Sequence, residues 1–109
     1  MSFKIVPTIR FIKELKKLFK KYPSVKEDVA RVEHLLSNNP KTGISLGNNV
    51  YKIRVNIQSK SSGKSGGGRL ITYVVDKLGT IYLLSIFDKS DKETITDKEL
   101  KEMIKAINL

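Results

Sequence analysis

Lys52 and Arg54 stand two apart in a segment whose alternate residues, Tyr51, Ile53, Val55 and Ile57, are apolar. On an extended chain this spacing places both cations on one face and the apolar residues on the other. Arg69 opens the next apolar segment across a glycine-rich stretch and so can return beside them. Lys60 and Lys64 ride on that stretch, and Lys89 and Lys92 leave the last apolar segment. Convergent Lys and Arg suit a phosphate, and a guanidinium fork can hold two of its oxygens at once. If the phosphate is reacting, the same groups stabilise charge gathering on its non-bridging oxygens. Like charges on adjacent strands cost stability unless an anion offsets them, which separates this pattern from an ordinary solvated polar face.

The charge balance supports a phosphate-bearing partner. The 109 residues carry a formal charge of +10, from 21 Lys plus Arg against 11 Asp plus Glu. The excess is uneven: residues 34–75 hold six basic residues and no acid, whereas residues 76–109 are nearly neutral. Clustered cations gain affinity for nucleic acid by releasing condensed counterions.

Other chemistries lack their residues. Without Cys there is no disulfide scaffold, thiolate zinc site or cysteine nucleophile. The single histidine, His34, lies beside Leu35 and Leu36 in a helical pattern and reads as a surface or packing residue. Gly66-Gly67-Gly68 is not followed by the Lys-Ser/Thr of a P-loop, and it opens no helix as a dinucleotide fingerprint would. Acids gather in caps and turns after residue 75, which does not suit paired-carboxylate catalysis. No apolar run approaches the roughly 20 residues of a membrane span, and no signal peptide is evident. The expectation is a soluble cytoplasmic protein with no membrane partner.

The elements that must position the cations follow from periodicity. Phe3 to Val6 alternates as a short strand closed by Pro7. A helix begins at Thr8, with Ile12, Leu15, Leu18, Phe19 and Tyr22 on its apolar stripe. Lys13, Lys16, Lys17, Lys20 and Lys21 coat most of the remainder. Pro23 ends it, and Ser24-Val25-Lys26-Glu27 has the form of a capping box for a second helix. Val25, Val29, Val32, Leu35 and Leu36 supply that helix's apolar face, and Asn38-Asn39-Pro40 stops it. So short a turn makes the pair an antiparallel hairpin packed on one sheet face.

Three strands follow: Tyr51 to Ile57, Arg69 to Val75, and Thr80 to Phe87, the last apolar on both faces and so expected to be central. Residues 59–68 read as a mobile loop, and residues 76–79 as a turn. Thr96-Asp97-Lys98-Glu99 is a second capping box, leading into Leu100, Met103, Ile104 and Ile107 at helical spacing. Residues 1–109 thus form one α+β domain of order β-α-α-β-β-β-α, an antiparallel-rich sheet with helices largely on one face.

In the order Leu46-Gly47, Tyr51-Lys52-Ile53-Arg54, Gly63-Lys64-Ser65-Gly66-Gly67 and Arg69, the chain resembles the RelE/HigB superfamily of toxin–antitoxin toxins. The run from Ile81 to Glu93 resembles that family's last strand and exit, and Asp97-Lys98-Glu99-Leu100 continues it into the terminal helix. The likeness spans nearly the whole chain and is nearest the HigB-type branch. It implies a microbial-ribonuclease-like fold and cleavage of mRNA in the ribosomal A site without metal or other cofactor. It also implies partners in the ribosome, the mRNA and a cognate antitoxin protein.

By position, the catalytic cations of the family match Lys52, Arg54, Arg69 and Lys89. Lys60, Lys64 and Lys92 become RNA-binding residues, and Lys13, Lys16, Lys17, Lys20 and Lys21 dock ribosomal RNA. Many relatives place an aromatic before the arginine where this chain has Gly68, and another near the C-terminal end, where residues 88–109 have none. A gyrase-targeting toxin of the same fold and a non-catalytic RNA- or ribosome-binding module are the alternatives.

Overall fold

The structure, a computed structural model, describes residues 2–60 and 67–107. The chain runs β1 (Lys4–Pro7), α1 (Ile9–Lys21), α2 (Val25–Asn38), β2 (Ile44–Gly47), β3 (Val50–Val55), β4 (Gly68–Val75), a 3-10 turn (Asp76–Leu78), β5 (Thr80–Asp88) and α3 (Asp97–Lys105). The five strands form one sheet in the order β1-β5-β4-β3-β2, with β1 parallel to β5 and the other neighbours antiparallel. This is the expected α+β class with two differences.

The first is an additional edge strand. β2 is only four residues long, Ile-Ser-Leu-Gly, and largely exposed, too short for its pattern to mark a strand, and it pairs along β3. With β2 present, β4 rather than β5 is the middle strand, although β5 remains interior between β1 and β4.

The second concerns the helices. α1 and α2 cover one sheet face, where Phe11, Val25, Val29 and Leu36 meet Ile53, Val55, Leu70, Leu83 and Ile86. α3 lies on the opposite face, with Leu100 and Met103 against Val50, Ile71, Leu84 and Phe87. The hairpin thus packs on one face as expected, and α3 alone takes the other. Strands apolar on both sides need a cover on both, and the hairpin can supply only one.

Local signals mostly hold. Thr8 caps α1 by accepting from the Phe11 N–H (3.3 Å), while its hydroxyl donates to the Leu83 carbonyl of β5 (2.8 Å). The buried stripe of α1 is shifted from the expected one. Phe11, Leu15, Leu18 and Tyr22 face the core, at i, i+4, i+7 and i+11, whereas Ile12 and Phe19 are exposed. Leu36 is sealed on α2, while Leu35 turns outward.

At Thr96 the capping box forms in both directions. At Ser24 it does not. Ser24 has helical backbone angles and its hydroxyl donates to Asp28 (2.7 Å), leaving no cap bond from Glu27.

A register slip between β4 and β5, at Ile71/Thr72, matters for the site. It brings Leu84 and Phe87, three residues apart, onto the α3 face, and Leu83 and Ile86 onto the hairpin face. Strict alternation would have put Phe87 with the hairpin; the extra residue of a bulge reverses the order. No described helix is long and apolar enough to cross a membrane.

Candidate functional site

The β3–β4 register places Arg54 directly opposite Arg69, and Arg69 directly opposite Phe87 of β5. Lys52 stands two residues before Arg54 on the same face, opposite Ile71. Lys52, Arg54 and Arg69 are thus brought together, as their spacing predicts. Their face is the one on which α3 packs, beyond the cationic row.

The two guanidinium residues differ in exposure. Arg54 is exposed, whereas Arg69 retains only 7% of its surface and donates from Nη1 to the Gly68 carbonyl (2.9 Å). Burial first, and then the facing Arg54, lowers the Arg69 guanidinium from its usual value. Arginine nonetheless keeps its charge in proteins, so the row is a partly desolvated pair of fixed cations.

Gly67 and Gly68 make the close approach possible. Gly67 has φ +54°, and a side chain on Gly68 would crowd the Phe87 carbonyl and Ile57. The Ile57 side chain, from the neighbouring segment, would lie 3.3 Å from a Cβ at position 68. An aromatic does flank the arginine, but it is Phe87 from β5, buried and covered by the Lys92 ammonium 5.6 Å from its ring centroid. The register slip explains why periodicity missed it.

Lys89 leaves β5 half-buried, its N–H donating to the Gly67 carbonyl (3.1 Å), so it lies at the Arg69 end of the row. Lys92 is held by Glu99 of α3 (2.7 Å), which also takes Arg10 of α1 (3.3 Å). The Lys92 hydrogen bond is the main cause that lowers the Glu99 carboxyl to about 2. Arg10 also reaches Glu14, whose Oε1 accepts from the Ser85 hydroxyl (2.7 Å) and the Ile86 N–H (3.3 Å). Glu14 thereby satisfies the stretch of β5 that β1 is too short to cover.

Lys60 is placed differently from the expectation. It does not ride free over the cations but sits on the hairpin side, its ammonium 2.7 Å from Asp88 and 6.0 Å from the Tyr22 ring centroid. Asp88 is 1% exposed, and it too lies on the hairpin side because of the register slip. Burial raises its carboxyl, but bonds from Lys60, Ser90 and Tyr22 outweigh burial and hold it far below the ordinary carboxylate range. A lysine beside a polar glycine-rich run gives no local sign of a buried partner 28 residues away. Lys64 lies outside the described residues.

Lys13, Lys16, Lys17, Lys20 and Lys21 are all exposed on α1 and, among the described residues, none is in an ion pair. Lys20 and Lys21 occupy the last turn, where cations complement the helix dipole.

Comparisons with known proteins bear on the fold. The free E. coli RelE toxin, solved as an arginine double mutant, is 19% identical, with 98% of this chain and 99% of that chain aligned at a TM-score of 0.65. The intact E. coli RelBE toxin–antitoxin complex matches at 20% identity and TM-score 0.62, over 80% of this chain and 96% of that one. The RelBE2 toxin–antitoxin complex of Mycobacterium tuberculosis matches at 19% and 0.62, over 81% and 99%. These likenesses establish the shared fold. The family model for the RelE toxin of the RelE/RelB toxin–antitoxin system matches residues 11–108, nearly the entire chain, and the chain therefore belongs to the RelE toxin family.

Proposed function

We propose that this toxin is an endoribonuclease that cuts mRNA in the ribosomal A site and so halts translation, and that a cognate antitoxin protein holds it inactive. The observation that carries this reading is the cross-strand Arg54–Arg69 pair with Lys52 on the same face. Two arginines in register, one nearly buried, repel each other, and an anion held by their forks offsets that repulsion.

In the reaction, an RNA 2′-hydroxyl attacks its adjacent phosphate, the bond to the 5′-oxygen breaks, and a 2′,3′-cyclic phosphate and a 5′-hydroxyl result. Arg54 and Arg69 hold the non-bridging oxygens, where negative charge gathers in the transition state. Lys52 and Lys89, at opposite ends of the row, are the candidates to take the 2′-hydroxyl proton and to protonate the leaving 5′-oxygen. Lys92 and Lys64 contact neighbouring phosphates. Lys60 is bound to Asp88 and would first have to leave that carboxylate to reach RNA.

Lys13, Lys16, Lys17, Lys20 and Lys21 dock ribosomal RNA backbone in a sequence-independent, salt-sensitive way. The ribosome positions the substrate, so naked RNA is cut slowly, and the setting is cytoplasmic. The similar E. coli RelBE and M. tuberculosis RelBE2 structures are toxin–antitoxin complexes, which supports an antitoxin partner here.

Induced expression followed by primer extension on cellular transcripts tests the reading. New 5′-hydroxyl ends within translated regions are expected, together with arrested growth. Intact transcripts with continuing translation would refute it, and intact transcripts with arrested DNA replication would point to gyrase instead. Arg69→Ala is expected to abolish growth arrest while the domain stays folded, and full toxicity in that variant would remove Arg69 from the site.

A further inference from the structure

Asp88 is a buried carboxylate that the reaction above does not use. Its Oδ2 accepts from the Tyr22 hydroxyl of the hairpin turn (2.7 Å). Its Oδ1 accepts from the Lys60 ammonium (2.7 Å), from the Ser90 N–H (3.0 Å) and from the Ser90 hydroxyl (2.8 Å). Its carbonyl accepts the N–H groups of Asp91 (3.0 Å) and Lys92 (3.2 Å). One residue therefore joins three separate segments: the end of α1, the stem of the glycine-rich stretch, and the exit turn that carries Lys89 and Lys92.

A second buried acid acts on the same stem. Asp28 of α2 is 2% exposed and accepts from the Gln58 N–H (3.1 Å), and the Ser59 N–H donates to Ser24 Oγ (2.8 Å). Residues 58 and 59 are thus tied to the hairpin, and residue 60 to Asp88.

Stability alone does not call for Asp88. A buried ion pair is often replaced by apolar residues of similar volume with no loss. An apolar residue cannot, however, accept from the donors of Ser90 and so cannot set the turn. That turn begins opposite Gly68, one residue before Arg69, and contains Lys89, whose own N–H meets Gly67.

We propose that Asp88 is the positioning residue of the site: its carboxylate sets the turn from Asp88 to Lys92 and so presents Lys89 and Lys92 at the Arg69 end of the cationic row. This rests on the ribonuclease reading for its kinetic consequence, but not for its structural one.

The test follows cleavage on programmed ribosomes with the full chain. Asp88→Ala is expected to lower the maximal rate at least tenfold, with the half-saturating ribosome concentration unchanged within about twofold. Asp88→Asn keeps an oxygen that accepts from Ser90 and is expected to recover the rate to within about threefold of wild type. Tyr22→Phe removes a bond at the other end of the carboxylate, and should lower the melting temperature without lowering the rate. Ser90→Gly leaves the buried carboxylate paired and loosens only the turn; it keeps the test open should Asp88→Ala not fold, and the same kinetic pattern is expected from it.

Asp88→Ala or Ser90→Gly, when folded, at the wild-type rate would overturn the proposal. So would a loss of rate in all the variants that merely follows melting temperature, or an effect confined to half-saturation. Amide exchange at positions 90 and 92, expected to quicken in Asp88→Ala and in Ser90→Gly, reads the turn directly. Unchanged exchange removes the positioning role whatever the wild type cleaves. A wild type that produces no 5′-hydroxyl ends refutes the ribonuclease, while the exchange result still decides the role of Asp88.

Discussion

At the residue scale, the Arg54–Arg69 pair concentrates fixed positive charge where a fork geometry matters more than charge alone. Arg69→Lys keeps the charge but loses the bidentate hold, and is expected to lower maximal cleavage on programmed ribosomes by on the order of 10²-fold. A Lys variant as fast as wild type would show that a point charge suffices. Thr72 in β4 offers a stability prediction independent of function. Its hydroxyl is fully buried and, among the described residues, makes no hydrogen bond. Thr72→Val removes that desolvated group at nearly constant shape, and is expected to raise stability by about 1 kcal/mol in urea unfolding. The shared face of Lys52 and Arg54 was legible in the sequence because period two is local. The facing of Arg54 and Arg69 was not, since it depends on a strand register set across the glycine-rich stretch. Asp88 was legible still less: it follows the last residue expected in the strand, and its partners Tyr22 and Lys60 are far away in sequence.

At the element scale, α3 is fastened to the rest by its first turns. Glu99 completes the capping box with Thr96, grips Lys92 and reaches Arg10 of α1. Its carboxyl is lowered from 4.5 to about 2 in the folded chain. A lowered carboxyl contributes stability that is fully present above pH 4.5 and is lost as pH falls from there toward 2. The group is partly exposed, so solvent screening keeps the effect modest. Melting curves across pH 4.5 to 2 are expected to shift less in Glu99→Gln than in wild type, and parallel shifts would place the acid sensitivity elsewhere. The amphipathic spacing and the capping box of α3 were plain from the sequence. The sheet face that it covers was not, because both faces of β4 and β5 are apolar and a helix stripe does not say which it meets.

At the scale of the whole molecule, the +10 charge separates into a strand face that can hold a reacting phosphate and a lysine-coated helix α1. Ribosome binding is expected to weaken steeply with salt, and Lys16→Ala or Lys20→Ala should each reduce the slope of log K against log salt by about one. An unchanged slope would take α1 out of the docking surface. What depends on near neighbours can be read from the residues alone. The helices, three of the strands and a short first one, the glycine break, the cationic alternation and the acid-free stretch all follow from periods and composition within a few residues. What depends on distant ones appears only once the chain is packed. Packing added β2 as an edge strand, sent α3 to the opposite face, and turned Phe87 and Asp88 over by a single register slip. It also withdrew Lys60 into an ion pair with Asp88. The physical reason is common to all of these: a pleat or a helical turn repeats locally, whereas register, facing and burial are set by which segments pack together.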